Sequence, residues 1–167
     1  MSTQAAPGQL ESVRGLLNTW LIPNDTRVPT DRLPAATPTA VRALRDDLRS
    51  VVAREAEVDE VLGEWIIRLR VIPVVIGGEV RFRGRPGAGD LLAIVLEAVA
   101  RGEWRRLKAC PDCHWVFYDN TRNASKRWCL MNAGGPNGRS CGSIAKVRRH
   151  RSRGLPSDRD ARAARPM

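Results

Sequence analysis

Four cysteines, the whole complement of the chain, stand between Leu107 and Arg153. Cys110 and Cys113 flank Pro111-Asp112, Cys129 follows Trp128, and Cys141 precedes Gly142. A C-x2-C pair forms a tight turn that aims two sulfurs at one ion. Two further thiolates then close a tetrahedral shell. The pattern points to a single structural Zn2+ held by Cys110, Cys113, Cys129 and Cys141, with no open position for water. Gaps of 15 and 11 residues separate the later cysteines from the first pair and from each other. Two other readings stay open: reduced structural cysteines without metal, and a redox C-x-x-C acting as a thiol switch. The second lacks the βαβ pattern that usually surrounds such a motif. His114 follows Cys113 directly and His150 lies among arginines, but four sulfurs already fill a zinc shell.

Charge is concentrated in the same region. The chain has 167 residues and a formal net charge of +10, yet residues 1–100 carry 12 Lys/Arg against 13 Asp/Glu. Residues 101–153 carry 13 against 3. A positive field confined to one module suits a polyanion docking there. The candidates for phosphate contact are Arg122, Lys126, Arg127, Lys146, Arg148, Arg149, Arg151 and Arg153. The last five belong to a basic helix, with Ile144 and Val147 on its apolar edge and Ser140 or Ser143 as its cap. Like charges along such a helix repel, and phosphates would relieve the repulsion. Trp115, Phe117 and Trp128 suit a small core better than base stacking. Asp119 suits an ion pair or a turn cap.

The elements that must position this module come earlier. Fold class is mainly α (α+β). Residues 1–9 read as a disordered lead-in, and 10–106 as a helical domain with one small β-hairpin. Residues 107–153 read as the four-cysteine finger and basic helix, and 154–167 as a flexible tail. Leu10, Val13, Leu16, Leu17 and Trp20 recur at helical spacing and predict a helix over 10–21. Residues 22–36 hold three prolines and read as a loop. Thr37 and Pro38 are placed to start a second helix. Val41, Leu44, Leu48, Val51 and Val52 would form its buried face, with Arg42 and Asp46 pairing outside. A segment over 57–69 carries Val58, Val61, Leu62, Trp65 and Leu69 on one stripe, either continuing that helix or bending away. Ile72 to Arg83, broken by Gly77-Gly78, reads as a hairpin whose first strand Pro73 confines to an edge. Leu91 to Ala100, with Asp90 before it and Gly102 after, predicts a helix at the centre of the domain.

From Cys110 to Met131, then at Cys141-Gly142 and Ala145 to Arg151, the sequence resembles the CGNR zinc finger. Phe117, Asp119, Arg122, Asn123, Arg127, Trp128 and Met131 fit that family's pattern. The resemblance implies a bacterial protein with an N-terminal ABATE domain, of a kind described as stress-induced transcription regulators. Leu16-Leu17-Asn18-Thr19 is similar to that domain's opening, and residues 89–108 to its last helix. Two features depart from the family. Ser143 and Ile144 stand where it has Asn and Arg, and the gap before the last cysteine is widened over 133–140.

These observations lead to a zinc-dependent regulator docking on double-stranded DNA, with the N-terminal domain sensing a small-molecule or protein effector. A homodimer is compatible with that arrangement. An RNA-binding or ribosome-associated zinc protein fits the same charge map. No Gly-rich phosphate loop, Ser/His/Asp set or open metal site argues for an enzyme. There is no apolar run of about 18 residues, and Met1 to Gly8 lacks a basic start and an apolar core, so the expected setting is cytoplasmic and nucleoid-associated, without a membrane.

Overall fold

Five helices and three two-stranded antiparallel ladders make up the computed structural model, which describes residues 5–129 and 140–153, the side chains of 152 and 153 aside. Met131, most of the 133–140 widening and the 154–167 tail lie outside the described residues. Of the expected lead-in, residues 5–9 are placed. Ala6 is buried, and its N–H donates to the Glu11 carboxylate at 2.7 Å.

Helix α1 spans Leu10–Leu17 and buries Leu10, Val13 and Leu17. It ends four residues short of the expected Leu21. Asn18 turns its side chain toward a distant strand instead of continuing the helix. The chain then forms β1 (Trp20–Leu21), paired with β2 (Thr30–Asp31) inside the stretch expected to be loop. Helix α2 (Thr39–Ala53) is preceded by Pro38 rather than capped by Thr37. Its buried face includes Leu44, Leu48, Val51 and Val52 as expected, and also Arg45. That guanidinium reaches Asp31 at 2.6 and 2.8 Å, Asp46 at 2.8 Å and the Thr19 hydroxyl at 3.0 Å. The expected Arg42–Asp46 pair is therefore replaced: Asp46 serves Arg45, and Arg42 lies 3.5 Å from Asp31.

Arg54 adopts a left-handed conformation (φ 64°) that terminates α2, so α3 (Val58–Leu69) is a separate helix. Trp65 anchors it, with its indole N–H donating to Asp47 at 2.8 Å. Strands β3 (Ile72–Ile76) and β4 (Glu79–Arg83) pair across Gly77-Gly78, both at positive φ as a two-residue hairpin turn requires. Helix α4 (Ala88–Ala100) fully buries Leu92, Val95 and Ala98. Burial of each large apolar side chain stabilises by about 1.5–3 kcal/mol. The Asp90 carboxylate accepts the Gly87 N–H at its start, and Gly102 (φ 69°) closes its end, donating to Val99.

The core does not end with α4. Leu107, Val116 and Tyr118, from the cysteine-bearing region, belong to the same buried cluster as α1, α2, α3 and α4. A second, smaller cluster gathers the four cysteines around Phe117, with Trp115 and Trp128 half-buried against it.

Candidate metal centre

Local sequence builds the centre from a hairpin. Strands β5 (Leu107–Ala109) and β6 (Val116–Tyr118) pair antiparallel, and the first cysteine pair lies in the turn between them. The turn closes by Cys110 N–H donating to Trp115 at 2.9 Å and His114 N–H donating to Cys110 at 2.9 Å. His114 takes the left-handed conformation (φ 56°) that this reversal needs. Its ring meets Trp20 edge-on, outside the sulfur cluster. Helix α5 (Cys141–Arg153) delivers the fourth sulfur from its first residue. Ser140 caps it, its hydroxyl accepting the Ser143 N–H at 3.3 Å. Gly142 leaves room for the Trp128 ring, which an added Cβ would meet at 3.4 Å.

All four sulfurs lie within 4.8 Å of one another, and all four cysteines are buried. Cys113 and Cys129 Sγ are 3.4 Å apart, and Cys129 and Cys141 Sγ 3.7 Å. A zinc–sulfur bond of about 2.3 Å in a tetrahedron implies sulfur–sulfur edges of about 3.8 Å, so the donor set fits one ion. Crowding sets the thiols against one another. Cys110 falls far below the ordinary thiol range through its hydrogen bond with Cys113. The same contact pushes Cys113 up to about 12, while Cys129 rises through Cys110 and Cys141 through burial. A divalent cation removes that conflict by stabilising every thiolate at once. When bound, zinc here supplies structure, since four sulfurs complete its shell.

The N-terminal half reaches into this centre. Asn18 forms a paired contact with Val116, donating to its carbonyl at 2.9 Å and accepting its N–H at 2.7 Å. Ile22 N–H donates to the Cys113 carbonyl at 3.0 Å. The Asn24 amide lies 3.6 Å from Cys141 Sγ. Arg27 grips the Asp112 carboxylate at 3.0 and 3.1 Å, and Arg148 of α5 adds a third contact at 3.1 Å. Asp112 thus ties the first cysteine turn to both the 22–29 loop and α5. Reading the sequence did not single out Asn24, Arg27 or Asp112 for this role. The available signal was an acid placed between two ligands, where the thiolates' charge requires cationic neighbours.

Asp119 is fully buried and organises the next turn. It accepts from Lys108 Nζ at 2.7 Å, the Thr121 hydroxyl at 2.6 Å, Thr121 N–H at 3.0 Å and Lys126 N–H at 2.8 Å. Burial alone would raise its pKa, but these donors, Lys108 first, hold it well below the usual carboxylate range. Of the expected phosphate-contacting residues, Arg122, Arg127, Lys146, Arg148, Arg149 and Arg151 are exposed, and Lys126 is half-buried beside the Phe117 ring. The Arg153 side chain lies outside the described residues. Lys126 and Arg127 also line a cleft of about 550 Å3 between the end of α2 and the finger, with Arg54 and Lys108.

Residues 106–154 match the CGNR zinc finger family. No curated protein and no solved structure matches the chain. The match covers the β5–β6 hairpin, all four cysteines and α5. The observed cluster supplies what a zinc finger of this kind requires: four cysteine ligands for one metal ion. Among the described residues no helix is long and apolar enough to cross a membrane.

Proposed function

We propose that the chain is a zinc-dependent, DNA-binding transcription regulator whose C-terminal finger docks on duplex DNA. One observation carries the reading. The metal ligand Cys141 is the first residue of α5, whose exposed surface presents Lys146, Arg148, Arg149 and Arg151. Holding the ion therefore fixes a row of cations in place, so phosphate binding need not order the helix. Arg122, Lys126 and Arg127 extend the positive surface over the finger, and Arg54 brings a cation from α2 to the edge of the cleft. The N-terminal helices form the sensing part, in keeping with the resemblance of residues 16–19 and 89–108 to an ABATE domain. The chain acts by binding rather than catalysis, in the cytoplasm and on the nucleoid.

The test is competition. A labelled duplex is titrated with zinc-loaded protein, then displaced with unlabelled duplex DNA, structured RNA or single-stranded DNA. Preferential displacement by duplex DNA supports the reading. Preferential displacement by structured RNA replaces it with an RNA-binding zinc protein.

A further inference from the structure

Away from the finger, the N-terminal half contains a cleft of about 390 Å3. Its walls come from the first turn of α2, the end of α3 and the loop leading into α4. Pro38, Val41, Leu69, Pro86 and Ala88 give it an apolar lining, and Arg68, Arg70 and Arg85 are the charged residues on it. No carboxylate residue contributes to the lining. None of the three arginines forms an ion pair among the described residues; Arg68 stacks on Trp65 at 4.6 Å. Several arginines elsewhere in this half are matched with acids, Arg45 with Asp31, Arg81 with Glu97 and Arg101 with Glu103. The three around this apolar cleft share it with no acid among the lining residues.

The cleft is also held in shape. Gly84 and Gly89 bring the two ends of its loop into direct backbone contact, so close that a Cβ on Gly84 would lie 2.3 Å from the Gly89 carbonyl oxygen. Gly87 between them has φ 93°, a conformation that side chains disfavour. A preformed cleft loses little entropy on binding. Its volume falls in the usual range for small-ligand sites, about 300–1,000 Å3.

We propose that this cleft binds a small organic anion, an apolar body bearing one carboxylate or phosphate group. The apolar lining takes the body, and the guanidiniums take the anionic head through paired N–H donors. The inference rests on the reading of the N-terminal half as a sensor and names the class of effector it takes. Arg70 and Arg85 are exposed and their side chains make no hydrogen bond among the described residues; the Arg70 N–H that caps α3 is backbone and survives replacement by Ala, so the fold stays intact.

The experiment uses the full, zinc-loaded chain without nucleic acid. Benzoate, octanoate and phenyl phosphate are titrated while backbone amide shifts are followed by NMR, with inorganic phosphate as the control for a bare anion. At least one organic anion is expected to shift residues 39–41, 68–70 and 87–89 saturably, and inorganic phosphate to do so far more weakly. Arg70→Ala and Arg85→Ala are each expected to weaken that binding about tenfold. Shifts confined to the basic finger, or affinities unchanged in both variants, would overturn the proposal. Because no nucleic acid is present, failure of the finger to dock on DNA leaves this result untouched. Duplex affinity measured with and without the bound anion separately tests the sensor reading.

Discussion

The two buried clusters of this chain are built on opposite principles. The larger one is held by apolar area. Leu10, Leu17, Leu44, Leu48, Leu92 and Val95 are all fully buried, and the polar groups that enter, Arg45 above all, are matched by neighbours. The smaller one has Phe117 and four sulfurs at its centre. Its segment is too short to bury much else, so an ion has to supply the missing cohesion. The first cluster needs only its sequence to hold together, whereas the second needs its sequence and a metal. Val116, Tyr118 and Leu107 link them, because the hairpin that carries the first cysteine pair also closes the apolar core.

Removing the ion is the largest perturbation. Cys129→Ser or chelation should abolish binding worth about 10–16 kcal/mol in comparable zinc peptides. Residues 107–153 should then unfold. The shared core predicts more: the thermal transition of α1–α4 should also shift downward, read by circular dichroism with and without chelator. An unchanged transition would show the two clusters to be independent. Next in size is the Lys108–Asp119 pair. Asp119→Ala leaves a nearly buried ammonium without its partner and should cost about 3–5 kcal/mol in urea unfolding. Asn18→Ala tests the link itself. The Val116 carbonyl keeps Arg14 Nη1 at 3.2 Å, but its N–H loses the Asn18 acceptor, which should cost about 1–3 kcal/mol, and the variant should weaken zinc retention as well as global stability.

A smaller effect concerns pH. The hydrogen bond from Arg45, working against burial, holds Asp31 down to about 2. A carboxylate depressed in the folded state stabilises above its unfolded pKa of about 3.9. That contribution should fade as pH falls from about 4 to about 2. Asp31 is partly exposed, so solvent screening limits the loss to about 1 kcal/mol. The urea midpoint of Asp31→Asn should depend less on pH across this window than that of the parent protein, and equal dependence would remove the pair from the ledger.

How much of this was legible in the sequence follows from the range of the forces involved. Hairpin β3–β4 was legible because Gly77-Gly78 and the flanking alternation are local signals. Helix α4 was legible because its apolar run is continuous, and the ligand set because cysteine spacing is itself chemistry. The end of α1 was not. Leu16 and Trp20 continue the helical spacing, but Asn18 forms its pair with a residue 98 positions away. The β1–β2 ladder has only two residues per strand, too few for any periodicity. Arg45 sits on a buried face because Asp31 meets it there, a fact of tertiary structure that amphipathic patterning cannot express. The same holds for Arg27 and Asp112, which pair across 85 positions.

Whether the metal-held finger is the docking surface shows in the salt dependence of duplex binding by zinc-loaded and by chelated protein, followed by fluorescence anisotropy on one labelled duplex. With about six phosphates neutralised, the loaded protein should give a log–log slope near −5, and Arg148→Ala with Arg149→Ala should flatten it by about two. The chelated protein should bind weakly at every salt concentration. Equal affinity and equal slope with and without the ion would contradict the claim that a metal-held finger presents the docking surface.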